Sequence, residues 1–272
     1  MLKTRILTAV ILAPLAIALV FYAPDWMFRL TAALLLMIGC WEFHRLAKLN
    51  STATWILYSL QAGLIILMYL NWENLNEYAG VILVSSCIAW ILMFLRLFGY
   101  RENQVAGLRF QAISFASALA SITSCWFAIS WLRDQAHGEY LILLLLIIIW
   151  AADVGAYFSG RSFGRTKLAP SISPKKTWEG VVGGILLAGL AAVLVGWFAP
   201  GLDSPFLPLI ALTAVTVLTS ICGDLFISLH KRTVNLKDAG SLFPGHGGVL
   251  DRLDSLLPGS VFFATGVWIL SS

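Results

Sequence analysis

The sequence predicts an all-α, polytopic helical membrane protein with about nine transmembrane helices and a cytoplasmic N-terminus. Three observations carry that expectation. Hydrophobic residues fill 59% of the 272 positions, charged residues only 12%, and mean hydropathy is +0.85. A soluble domain carries roughly 25% charged residues, so this chain has too few to cover a water-facing surface. Several apolar runs reach the length of about 20 residues that a helix needs to cross a hydrocarbon core about 30 Å thick. The basic residues, finally, collect in alternate connections between those runs.

The expected spans are residues 6–23, 28–46, 53–70, 79–98, 110–132, 140–159, 180–199, 206–229 and 250–270. The first follows Lys3 and Arg5 and contains Ala16-Ile17-Ala18, which mimics a signal-peptide cleavage site. Its apolar stretch continues past that point and many spans follow, so an uncleaved first helix is expected. The second is weakened by Trp41-Glu42 and the last by Asp251-Arg252 at its start. The spans before Tyr140 are joined by short, chemically plain loops.

Charge sets the orientation. With the N-terminus inside, only Arg29 and Arg133 of the eighteen basic residues fall outside, which assigns the basic side to the cytoplasm. Asp25, Glu73, Glu77, Asp134, Glu139 and Asp203 lie in the outer loops, and Trp26, Trp72, Trp131 and Trp197 lie near span ends, where interfacial aromatics belong. The net charge of +4 resides in short loops without the aromatic-lined basic groove that single-stranded nucleic acid needs, so no nucleic-acid partner is expected. Cys40, Cys87, Cys125 and Cys222 are isolated in apolar runs and read as inert thiols.

The chain reads as a single membrane-embedded domain over 1–272, with an N-terminal helical part, 1–139, and a catalytic C-terminal half, 140–272. In that half the polar residues gather in two inner segments, Asp153–Gly184 and Gly223–Ser255. Asp224 lies near the inner end of an apolar span, where an ionisable group costs at least about 2.5–3.5 kcal/mol and needs a partner or a task. Asp251 and Asp254 are three apart, on one face if the ninth span is helical there. The three carboxylates suit Mg²⁺, which is held by one or two carboxylates plus substrate phosphates. They equally suit an intramembrane ion pair with Arg252 or Lys237.

Pro244-Gly245-His246-Gly247-Gly248 leaves the backbone free to approach an anion, and Lys231, Arg232 and Lys237 surround it in sequence. Read as plain structure, the same loop is a turn on the basic side. The other segment runs from Trp150 through Asp153 to Gly160, then Ser173-Pro174-Lys175-Lys176-Thr177-Trp178-Glu179-Gly180. Thr177 is placed to cap a helix and Glu179 to favour its first turn, with the lysines beside a possible phosphate site or simply flanking the helix.

From Ser228 to Asp254 the sequence resembles the C-terminal motif of the phosphatidate cytidylyltransferase (CDP-diacylglycerol synthase) family. Lys231, Arg232, Lys237, Asp238, His246, Gly247, Gly248, Asp251, Arg252 and Asp254 match it in order and spacing. The Ser-Pro-Lys-Lys-Thr and Asp-x-Gly-Ala-Tyr-Phe stretches and the start Met-Leu-Lys-Thr-Arg are similar as well. Two positions depart from it: Ile227 stands where members often carry glutamate, and His230 replaces an apolar residue.

The resemblance implies transfer of a cytidylyl group from CTP to phosphatidate in the inner membrane, by a multi-pass protein with its site on the cytoplasmic side. It implies catalytic roles for Asp224, Asp251, Asp254 and Lys237, the three aspartates also being metal ligands. Substrate would be held by Asp153, Lys175, Lys176, Ser228, Lys231, Arg232, Asp238, His246, Gly247, Gly248 and Arg252. Mg²⁺, alone or with a second cation, is the implied cofactor; CTP, phosphatidate, membrane lipid and a second copy in a homodimer are the implied partners. Phosphatidate is already a nucleophile at neutral pH, so His246 is not required as a base. A secondary transporter would need symmetry-related interruptions in both halves, whereas the polar residues here are confined to one. Another CTP-dependent membrane lipid transferase is the nearer alternative; a CDP-alcohol phosphotransferase or a polyprenyl transferase would show a DGxxAR or a DDxxD motif, and neither occurs.

Overall fold

A computed structural model describes residues 2–101, 105–198, 206–242 and 247–271, with side chains from Val10 onward. Pro244, Gly245, His246 and Asp203 lie outside the described residues. The helices are α1 (Leu2–Tyr22), α2 (Asp25–Leu46), α3 (Ser51–Leu70), the short α4 (Trp72–Glu77), α5 (Ala79–Phe98), α6 (Leu108–Asp134) and α7 (Gly138–Phe163). A hairpin of β1 (Lys167–Ala169) and β2 (Ser173–Thr177) precedes α8 (Trp178–Phe198), α9 (Phe206–Thr233), α10 (Leu250–Leu253) and α11 (Leu256–Ser271). Within the described residues each expected span falls on helix over nearly its whole length, the last of them in two pieces. Among the described residues eight helical segments, from Asp25–Leu46 to Leu250–Ser271, are long and apolar enough to cross a membrane, and the described side chains of α1 give a shorter apolar helix, Val10–Tyr22.

The outward faces are apolar: Val81 is 70% exposed and Leu186 69%. Lipid is as apolar as leucine, so association inside the bilayer rests on close packing and polar contacts rather than on escape from water. Bulky side chains fill the centre, with Phe43, Trp90, Trp126, Phe127, Phe226 and Phe263 fully buried. Thr213 and Thr216 satisfy their hydroxyls within the helix, each donating at 2.8 Å to the carbonyl four residues back. The α7–α8 pair is closest, because a Cβ on Gly155 would stand 2.5 Å from the Gly183 carbonyl oxygen and one on Gly184 3.0 Å from that of Ala152. Backbones meet there with nothing between them. Helices of 1–139 and 140–272 interleave, α11 packing against α5 and α6 as well as α9.

Several local features differ from the sequence expectation. The connection before α8 forms a two-stranded antiparallel hairpin pairing Lys167 with Thr177 and Ala169 with Ser173. Thr177 ends it and caps α8, its Oγ1 accepting the Gly180 N–H at 3.2 Å. The ninth span is split between α10 and α11. Pro258 has no N–H to give the Asp254 carbonyl four residues earlier, so the helical ladder is interrupted there.

The two basic residues on the far end are both neutralised. Arg29 pairs with Asp134 and stacks over Trp72 at 4.3 Å, while Trp72 Nε1 donates to Asp134 Oδ2 at 2.6 Å. Arg133 Nε donates to Asp25 at 2.9 Å and its Nη2 to the Ala23 carbonyl at 3.0 Å. This clasp joins the ends of α1, α2, α4 and α6. Of the four tryptophans expected at the interface, Trp26 and Trp197 are exposed, whereas Trp72 and Trp131 are buried.

Candidate active site

At the end of the bundle opposite that clasp, three stretches distant in sequence meet. Asp224, Ser228 and Lys231 fall at i, i+4 and i+7, on one face of α9. Ser228 Oγ donates to Asp224 Oδ1 at 3.2 Å, and Lys176 Nζ, arriving from β2, pairs with Asp224 Oδ2 at 2.5 Å. Lys231 Nζ donates to Asp251 Oδ1 at 2.7 Å. Asp251 Oδ2 accepts two backbone N–H groups, from Ala239 at 2.8 Å and Gly248 at 3.0 Å. Asp254 is buried; its Oδ1 accepts the Ser255 N–H at 2.7 Å, and it lies within electrostatic reach of Asp224, Lys231 and Lys176. Asp153, from α7, is within reach of Lys176, Asp224 and Arg252.

Three aspartates, Asp153 and two lysines therefore form one charged cluster. Arg232 serves a neighbouring purpose, its Nε donating to the Ile172 carbonyl at 3.2 Å and fastening α9 to the hairpin. Lys175, Lys237, Asp238 and Arg252 are exposed around the cluster. The ion-pair alternative is realised with different partners from those expected: Lys176 and Lys231, rather than Lys237 or Arg252, sit on Asp224 and Asp251.

Two details bear on how the expected groups would hold a ligand. Asp224 and Asp251 are each paired with a lysine, and among the described residues no three acidic, histidine or cysteine groups stand together closely enough to hold a metal ion unaided. The glycine pair, moreover, does not simply leave its N–H groups free for an anion, since that of Gly248 is engaged by Asp251. The need for glycine is steric. Gly247 has φ +83°, and a Cβ there would stand 2.7 Å from Asp251 Oδ2; a Cβ on Gly248 would collide with the carboxylate of Glu42.

Glu42 is the residue that sequence reasoning missed. In the sequence it is a flaw in the second span; in the structure it reaches the loop before α10 and accepts backbone N–H groups from Val249 and Leu250. The available signal was its position, an acidic residue inside an apolar run, which calls for a partner. The two departures from the family pattern are both core residues. Ile227 is fully buried in the main apolar core. His230 is fully buried among Phe43, Phe110 and Phe226, with Nδ1 2.8 Å from the Phe226 carbonyl and Nε2 3.1 Å from Ser114 Oγ.

Known proteins are similar to this chain in sequence, two of them over nearly its full length. A protein of Pseudomonas aeruginosa named phosphatidate cytidylyltransferase is 36% identical over 270 residues, covering 98% of this chain and 97% of its own length. One of the same name from Haemophilus influenzae is 32% identical over 281 residues, covering 97% and 98%. A third so named, from Rickettsia bellii, is 44% identical over 146 residues, covering 51% of this chain and 63% of its own. With eight apolar spans among its described residues the chain is a multi-pass membrane protein. Residues 3–270 match the model of the Cytidylyltransferase family, and the chain belongs to that family.

Proposed function

We infer that this protein is a nucleotidyltransferase that moves the cytidylyl group of CTP to phosphatidate, giving CDP-diacylglycerol and pyrophosphate. The observation that carries this reading is the junction of Lys176, Asp224, Lys231, Asp251 and Asp254 in one cluster beside Gly247-Gly248. The name shared by the near-full-length relatives supports the same substrates.

A phosphate oxygen of phosphatidate attacks the α-phosphorus of CTP, and the bond from that phosphorus to the β-phosphate bridging oxygen breaks, releasing pyrophosphate. Such chemistry depends on positioning and charge neutralisation more than on covalent catalysis. Lys176 and Lys231 are the cations best placed to meet the phosphates, since each already stands over a carboxylate and can exchange that partner for a phosphate oxygen. Lys175, Arg232, Lys237 and Arg252 surround them and raise the local anion affinity.

The donor chemistry fits Mg²⁺ in the form that uses one or two carboxylates and completes its shell with phosphates. Asp224, 30% exposed at its side chain, and Asp254 beside it would supply those carboxylates. Asp251 joins them only when Lys231 leaves Oδ1, because its other oxygen is held by two amides. Bound together with the triphosphate, the ion would offset the negative charge that develops on the leaving pyrophosphate. The protein acts in the cell inner membrane with the cluster facing the cytoplasm, where CTP is found, and as a homodimer. Lipid stays beside the apolar helix faces while the phosphatidate head group reaches the cluster.

Purified protein in detergent with labelled CTP, phosphatidate and Mg²⁺ tests this reading. CDP-diacylglycerol is expected from the wild type, and a fall of at least about a hundredfold from Asp224→Asn, the scale on which loss of one electrostatic group slows such reactions. No product from the wild type, or undiminished product from the variant, would overturn it.

A further inference from the structure

Glu42 lies near the end of α2, in the half of the chain that carries none of the recognisable motifs, and is 6% exposed. Its Oε1 accepts the Val249 N–H at 3.1 Å and its Oε2 the Leu250 N–H at 2.8 Å. A Cβ on Gly240 or on Gly248 would run into the same carboxylate, so both ends of the loop touch it. Asp251 holds the same two ends through the N–H groups of Ala239 and Gly248. The base of the loop is thus closed by two carboxylates, one from α2 and one from α10.

Their duties differ. Asp251 also carries Lys231 and belongs to the charged cluster, where on the reading above its bond to Lys231 would change as phosphates arrive. The bonds of Glu42 are to backbone alone and need not change. We propose that Glu42 is a positioning residue for the CTP site: it keeps Ala239-Gly240 and Gly247–Leu250 in register, so that the loop base survives while Lys231 and Asp251 exchange partners. The proposal rests on the reading of the cluster as the site that binds CTP.

Glu42→Gln tests it with little change of volume. Glutamine offers one acceptor oxygen and an amide N–H₂ where two acceptors are needed, so one backbone donor faces another donor. Loss of a hydrogen bond to a charged group corresponds to a weakening of about tenfold or more. CTP binding is read from CTP-dependent thermal stabilisation of the full-length protein in detergent. Both KM values and kcat are read from product formation.

The expected result is a CTP dissociation constant and KM raised about tenfold or more, with the phosphatidate KM within about twofold of wild type. Unchanged CTP binding, or a kcat that merely follows the folded fraction with both KM values intact, would overturn the proposal. Should Glu42→Gln not fold, Gly240→Ala, whose Cβ displaces the Glu42 carboxylate, is judged by the same criteria; failure of both to fold would make Glu42 a stability residue and overturn the proposal as well. A wild type that binds CTP without forming CDP-diacylglycerol would refute the assigned reaction while the ratio of dissociation constants still decides the role of Glu42. A wild type that does neither would refute both.

Discussion

Replacing Asp251 with asparagine strikes the carboxylate that takes more of the cluster's bonds than either Asp224 or Asp254. One oxygen accepts Lys231 Nζ at 2.7 Å, the other the N–H groups of Ala239 and Gly248 at 2.8 and 3.0 Å. An asparagine can turn its oxygen to the two amides, but its N–H₂ then faces the Lys231 ammonium. The two side chains are 10% and 5% exposed, so the lysine is left with a buried charge. Breaking a buried pair from one side costs about 3–5 kcal/mol. Asp224 and Asp254 remain within reach of Lys231, which favours the lower end, about 3 kcal/mol.

The reverse change is milder. In Lys231→Met the carboxylate keeps both amide bonds, and about 1–2 kcal/mol is expected. The double variant removes the stranded charge, so its cost should fall short of the sum of the two by about 2 kcal/mol. Unfolding in mixed detergent micelles, followed by far-UV circular dichroism, measures all three. If Asp251→Asn costs no more than Lys231→Met, or if the costs add within about 0.5 kcal/mol, the pairing described here does not operate in the protein.

Two further outcomes follow from positions on either side of the bundle. Gly247→Ala adds about 1–2 kcal/mol of left-handed backbone strain and presses on Asp251 Oδ2, so kcat/KM should fall about tenfold, whereas Gly63→Ala, with nothing within 4 Å of its new methyl, should be neutral or slightly stabilising; steady-state kinetics and melting curves compare them. Asp134→Ala strips the partner from Arg29 and from Trp72 Nε1 at the far end and should cost about 1–3 kcal/mol while the CTP KM of the folded protein stays at its wild-type value.

The membrane spans were legible because length and hydropathy are properties of consecutive residues. Helix α5 coincides with the expected 79–98; the others differ by a few residues at their ends, apart from the last, which is broken between α10 and α11. The ion partners were not legible. Lys176 and Asp224 are joined by the approach of β2 to α9, and neither spacing nor residue type selects Lys176 over the nearer Lys237. The hairpin escaped notice because Ser173–Thr177 carries no alternation of apolar and polar residues, its strand character coming from pairing with Lys167–Ala169. The tryptophans show the same limit from another side. Trp72 and Trp26 have the same local signature near a span end, but only Trp72 meets Arg29 and Asp134 and is drawn inside.

The contacts of Glu42 join residues 207 and 208 positions apart. A chain inserted from its N-terminus therefore delivers α2 to the membrane long before Val249 and Leu250 have been made. Until then α2 presents to its surroundings a carboxylate whose acceptors lack their donors, a state that lipid tolerates poorly. The arrival of the last span relieves it. The second helix thereby depends on donors made far later in the chain, and products shortened before Val249 would leave the Glu42 carboxylate without them.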